Sequence, residues 1–130
     1  MKQHAQRERI IQHIQNYFGV EPDNPWRSYP NCAAFRLPTS RKRFAIIMEI
    51  PRNRLGLNGY ENVDVIDLKC GSTMVGSLLA QDGFLPAYYM SKGTWISVLL
   101  DGTVPDEQII PLVELSYNNM TPKDKSPGQR

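Results

Sequence analysis

Apolar residues near the start of the chain recur at three- and four-residue spacing: Ile10, Ile11, Ile14, Tyr17 and Phe18. That spacing places them on one side of a helix, and Gly19 supplies the left-handed residue that ends it. Residues 21–30 are too rich in proline for regular structure. A short strand is predicted over 32–37, a polar turn over 39–42 and a second strand over 44–50. Alternation in the second strand puts Phe44, Ile46, Met48 and Ile50 on one face and Ala45, Ile47 and Glu49 on the other. Residues 51–62 hold two glycines and read as a loop, and 63–69 as a third strand. A short helix follows over 73–81, with Ser72 as its N-cap and Gly83 as its stop. Strands over 87–90 and 95–100 form a second hairpin around residues 91–94. A last helix starts near Pro105, with Asp106 and Glu107 set against its positive end, and carries Ile109, Leu112, Val113, Tyr117 and Met120 on one face. Pro111 lacks the N–H that would bond the Glu107 carbonyl, so a kink or a slipped helix start is expected there.

This order predicts an α+β fold: one antiparallel β-sheet with the N- and C-terminal helices packed on one face, plus a short middle helix. At 130 residues the chain reads as a single domain over 1–120 with a disordered tail over 121–130. The first 15 residues alternate charge with isoleucine and do not resemble a signal peptide. No apolar run approaches membrane-spanning length, so the expected address is the cytoplasm. Cys32 and Cys70 form no motif pair and are expected as unpaired, buried thiols.

Charge sharpens the picture, because the net +2 hides a strong asymmetry. Residues 27–54 hold seven cations against the single acid Glu49, whereas residues 55–116 hold two cations against eight acids. Such a division suits a side that faces a polyanion, and equally suits two patches that attract one another across the fold.

Catalytic patterns are missing. Gly56 and Gly59 do not precede a helix as a phosphate loop requires, and no nucleophile elbow or zinc-binding cysteine–histidine set is present. His4 and His13 are nine residues apart, outside the helical spacing of a metal pair, and read as solvated surface groups. Asp64 and Asp67 are three apart on a strand, so they face opposite sides and are expected as exposed or edge charges.

The second half resembles the MmcQ/YjbR family. The resemblance rests on Pro51-Arg52-Asn53-Arg54-Leu55-Gly56-Leu57, on residues 63–70, on Gly83-Phe84-Leu85-Pro86-Ala87-Tyr88-Tyr89-Met90, on Lys92 and Trp95, and on Leu100-Asp101-Gly102-Thr103-Val104-Pro105. It implies a fold like that of the bacterial frataxin homologue, and it brings no enzymatic activity and no cofactor. The family has been likened to double-wing DNA-binding domains, in which the sheet and its hairpins meet nucleic acid. This chain reads Ser91-Lys92-Gly93-Thr94-Trp95 where the family usually has Asn-Lys-x-His-Trp. The frataxin likeness does not extend to iron, because the first helix offers only Glu8 among cations and no converging carboxylates are expected.

Two functions follow. The first is a module that binds duplex DNA weakly and without sequence preference, through Arg36, Arg41, Lys42, Arg43, Arg52, Arg54 and Lys92. The second is a module that binds a small ligand or a protein on the open sheet face, through Trp26, Tyr88, Tyr89 and Trp95. Cations converging on one face would favour the first; an aromatic-lined cleft would favour the second. Monomer and homodimer both remain open.

Overall fold

The computed structural model describes residues 4–121, so most of the expected tail lies outside the described residues. Elements follow the order α1 (Ala5–Phe18), β1 (Ala33–Arg36), β2 (Arg43–Pro51), β3 (Asn62–Lys69), α2 (Ser72–Leu79), β4 (Phe84–Pro86), β5 (Trp95–Leu99) and α3 (Asp106–Met120). The five strands form one antiparallel sheet in the order β1-β2-β3-β5-β4. This is the α+β architecture expected, with both terminal helices on one face.

That face holds the main core. Ile10 and Ile14 of α1 and Ile109, Leu112 and Val113 of α3 pack on Ala45, Ile47, Ile66, Leu68, Ile96 and Val98 of the sheet. Ile10, Ile14 and Ile109 are fully buried, as the helical spacing predicts. Tyr17 departs from that prediction and is 63% exposed. Its ring lies outside the core, stacked on His13 with centroids 5.3 Å apart.

Several sequence expectations change once the strands pair. Alternation alone puts Phe44 on the face of Ile46, yet it belongs to the helix-covered core, against Phe18, Phe35 and Tyr117. A β-bulge is responsible: Phe35 pairs with Ala45 but Arg36 pairs with Arg43, leaving Phe44 unpartnered and free to turn inward. The strand expected over 87–90 is instead Phe84–Pro86, and residues 87–90 leave the sheet. Gly83 opens that strand at φ 90°, and a Cβ there would stand 2.4 Å from Val104 Cγ2. The loop after β2 contains a 3-10 turn at Arg52–Leu55. Helix α2 begins after Gly71, at φ 90°, and takes no side-chain cap from Ser72. Helix α3 starts at Asp106 and runs through Pro111 as a single element, so no slipped start occurs. Pro111 is solvent-exposed, where water can serve the carbonyl that loses its partner.

The opposite face of the sheet carries a smaller cluster of Ile46, Met48, Ile50 and Val65. No helix covers it. Trp26, Cys32, Leu55, Tyr88 and Met90, contributed by connecting segments, pack against it instead.

Candidate functional site

The loop-covered face positions the aromatic residues that the sequence singled out. Residues 21–32 are tied down by short-range bonds suited to a proline-rich segment. The backbone of Asp23 bridges Ala34, Asn24 Nδ2 donates to the Tyr29 carbonyl at 2.8 Å, and the Trp26 N–H donates to Asn24 Oδ1 at 2.9 Å. The Trp26 indole therefore stands over the outer face of β2. It meets the Tyr89 ring edge-on, with centroids 5.2 Å apart and planes at 74°. The Arg43 guanidinium lies 5.1 Å from the indole centroid, a cation–π contact that backs the ring.

Tyr88 and Tyr89 reach this place because Asp67 holds their backbone. Its Oδ2 accepts the N–H groups of Tyr89 and Met90, each at 3.1 Å. Its Oδ1 accepts the Ser97 hydroxyl, whose oxygen in turn accepts the Tyr88 N–H at 2.9 Å. Asp67 is fully buried, contrary to the exposed or edge position expected of it. It lies on β3, the middle strand of the sheet, and the clasped segment seals it from water. Burial pushes its carboxyl above the usual range, against the pull of Ser97 and the three backbone N–H groups.

Between these walls lies a cleft of about 270 Å³ lined by Trp26, Tyr29, Cys32, Met48, Glu49, Ile50, Pro51, Arg54, Tyr88 and Tyr89. Its floor is aliphatic and its sides are aromatic. Arg54 at its mouth is exposed and makes no hydrogen bond or ion pair among the described residues. The Glu49 carboxylate accepts the Asn31 side-chain amide. Cys32 is a partly buried free thiol whose pKa is raised by burial, and the buried free thiol of Cys70 lies apart from the cleft in the helix-covered core. Of the four aromatics expected on this face, three line the cleft; Trp95 is buried in β5 and does not.

The expected basic residues divide between the two ends of the sheet. Arg36, Arg41, Lys42 and Arg43 belong to the β1–β2 hairpin, and Lys92 precedes β5 at that same end. Arg52 and Arg54 lie beyond the far end of the nine-residue strand β2, whose ends at about 3.3 Å per step stand roughly 26 Å apart. Three of the seven have intramolecular partners. Arg36 bonds Asp23 and the Arg41 carbonyl, Arg43 backs Trp26, and Arg52 donates to the Asn58 carbonyl at 2.8 Å. None of the ion pairs among the described residues joins the basic segment 27–54 to the acidic segment 55–116. Acids of the second half instead hold α1, through Arg7–Asp64 at 3.6 Å and Arg9–Asp106 at 2.7 Å.

The other strand aspartate, Asp64, is also buried, at 3% exposure. It bonds His4 Nδ1 at 2.6 Å and stands across from Glu49 in the β2–β3 register. His4 is therefore held to the sheet, where the sequence suggested a solvated group, and carboxylates do converge here. The bond to Asp64 raises the His4 pKa, while burial pushes Asp64 upward. The pairing of β2 with β3 and the seating of α1 on the sheet bring these residues together, and no linear spacing announces it.

Fold and cleft together describe a small α+β module whose loop-covered sheet face carries an aromatic-lined cleft. The chain belongs to the YjbR family, whose model matches residues 16–119. It is 37% identical over 112 residues to the uncharacterized protein YyaQ of Bacillus subtilis, covering 86% of this chain and 95% of that one. It is 26% identical to the uncharacterized protein YjbR of Escherichia coli K12, covering 88% and 92%. A crystal structure of a Pseudomonas syringae protein, 40% identical, superposes with a TM-score of 0.86 over 88% of this chain and 98% of that one. Deinococcus radiodurans protein DR2400, at 20% identity and a TM-score of 0.60 over 85% and 73%, shares the fold.

Proposed function

We propose that the chain is a non-enzymatic binding module that holds a small aromatic carboxylate in the cleft between Trp26, Tyr88 and Tyr89. The observation that carries this reading is the cleft itself, with an apolar floor, aromatic sides and one unengaged guanidinium at its mouth. Its volume of about 270 Å³ falls just under the roughly 300–1,000 Å³ of sites for drug-sized ligands, so it suits one or two rings. Aromatic walls favour a flat apolar body, and the planar fork of Arg54 matches a carboxylate. Calorimetry with 2-naphthoate and the neutral 2-naphthamide tests the reading. Naphthoate should bind at least tenfold more tightly, and Arg54→Ala should abolish that preference. Equal binding of the two, or none, contradicts it.

A second reading, weak duplex DNA binding, has one observation in its favour: Arg41, Lys42 and Lys92 are exposed at one end of the sheet, and their side chains make no hydrogen bond or ion pair among the described residues. Three phosphate contacts would give a slope of log K against log salt of roughly −2 to −3. Anisotropy of a labelled duplex across a salt series decides it, and a flat line excludes phosphate contact.

A further inference from the structure

Beside the N-terminus of α1, a second group of side chains has the composition of a cation site, and it shares only Glu49 with the lining of the aromatic cleft. Glu49 and Asp64 are directly opposed partners on β2 and β3, so their side chains leave the sheet on one face. Two opposed carboxylates repel unless cations intervene. Arg7 supplies one, its Nη1 3.6 Å from Asp64 Oδ1, yet both of those buried atoms lack a hydrogen-bond partner. His4 supplies the other contact through Nδ1, at 2.6 Å from Asp64 Oδ2. His4 occupies the N-cap position of α1 but makes no capping bond, its ring being turned to the carboxylate instead.

One nitrogen of His4 and one oxygen from each of Glu49 and Asp64 lie within 4.8 Å of one another. Two ligand atoms about 2.0–2.2 Å from a common ion are separated by roughly 3–4 Å, so an ion entering here parts the 2.6 Å His4–Asp64 contact by about 1 Å. A surface pocket of about 410 Å³, lined in part by His4, Glu61, Asp64 and Asp101, gives access from solvent. We propose that His4, Glu49 and Asp64 form a site for one divalent first-row transition ion of the zinc or cobalt class. One imidazole and two carboxylates suit such an ion better than magnesium or calcium, which prefer oxygen alone. The ion takes the place of the proton shared by His4 and Asp64. Arg7 orients the second Asp64 oxygen from behind, as an outer partner of a ligating carboxylate does. Three protein ligands leave a position for water.

The test is calorimetric titration of the tag-free full chain with Zn²⁺, repeated with Co²⁺ while its visible absorption is followed. One equivalent should bind. His4→Ala and Glu49→Gln should each weaken it at least tenfold, His13→Ala should leave it unchanged, and circular dichroism should verify that each variant folds. His4 does not line the aromatic cleft, so loss of metal in His4→Ala with naphthoate binding intact separates this site from that one. Absence of binding at millimolar ion, full binding by His4→Ala, or a loss that follows His13 would each overturn the assignment.

Discussion

The two faces of the sheet are sealed by different means. On one face α1 and α3 satisfy their own backbone bonds and present only side chains, so Ala45, Ile47, Ile66, Leu68, Ile96 and Val98 meet an apolar layer. On the other face the cover is irregular chain: residues 21–32 bond largely within their own segment, whereas the N–H groups of Tyr88, Tyr89 and Met90 find no local backbone partner. Asp67 and Ser97 supply those partners from within the sheet, at the cost of burying a carboxylate. A helix lid closes the middle of its face, over Ile47, Ile66, Leu68, Ile96 and Val98. A loop lid held at a few polar points leaves space between them, and the cleft is that space.

This contrast predicts unequal responses to mutation. The largest effect belongs to the closed face: Ile14→Ala and Leu112→Ala should each cost roughly 2–4 kcal/mol in urea titration. Losses below about 0.5 kcal/mol, the level of surface changes, would mean those residues are not core.

Asp67→Ala comes next, at roughly 1–3 kcal/mol, because it strands the N–H groups of Tyr89 and Met90 and the Ser97 hydroxyl. Hydrogen exchange at Tyr89 and Met90 should accelerate, while amides of α1 and α3 stay protected at any given global stability. Uniform acceleration would show that the two faces open as one unit.

The same carboxylate carries a pH signature. Its folded pKa is raised by burial, so its stabilising contribution is full below the ordinary carboxylate pKa and is lost as pH rises through the raised value. Asp67→Asn should flatten that fall when the stability of the wild type and the variant is compared across acidic and neutral pH. An unchanged pH dependence would assign the fall to other groups.

Smaller effects belong to the rim. Arg43→Ala should cost about 0.5–1 kcal/mol through the lost contact with Trp26. Lys42→Ala, at the exposed hairpin tip, should stay within about 0.5 kcal/mol of the wild type.

The closed face was legible in the sequence and the open one only in part, for the same physical reason. Ile10, Ile14, Ile109 and Val113 repeat with the helical period, and burial of that stripe decides where α1 and α3 pack. Trp26, Tyr88 and Tyr89 were recognisable as ligand-facing types, but their convergence depends on a clasp between residues far apart in the chain. Residues 87–90 look like a strand because Tyr-Tyr-Met favours one; their N–H groups are taken by Asp67 and Ser97 instead of a neighbouring strand. Asp64 and Asp67 read as exposed because a lone strand gives no sign of its neighbours. His4 and Arg7 at the start of α1 cover Asp64, and Ser97 with residues 88–90 covers Asp67. Phe44 was misplaced because alternation cannot foresee a bulge.

The central claim is that the loop-covered face, and not the basic hairpin, is the binding surface. The most direct measurement is a ¹H–¹⁵N correlation spectrum of the full chain titrated with 2-naphthoate. Shifts concentrated at the Trp26 indole, Ile50, Arg54, Tyr89 and Met90, with α1 and α3 still, are the predicted result. Shifts confined to residues 38–43 and 91–94, or none at all at millimolar ligand, would contradict it.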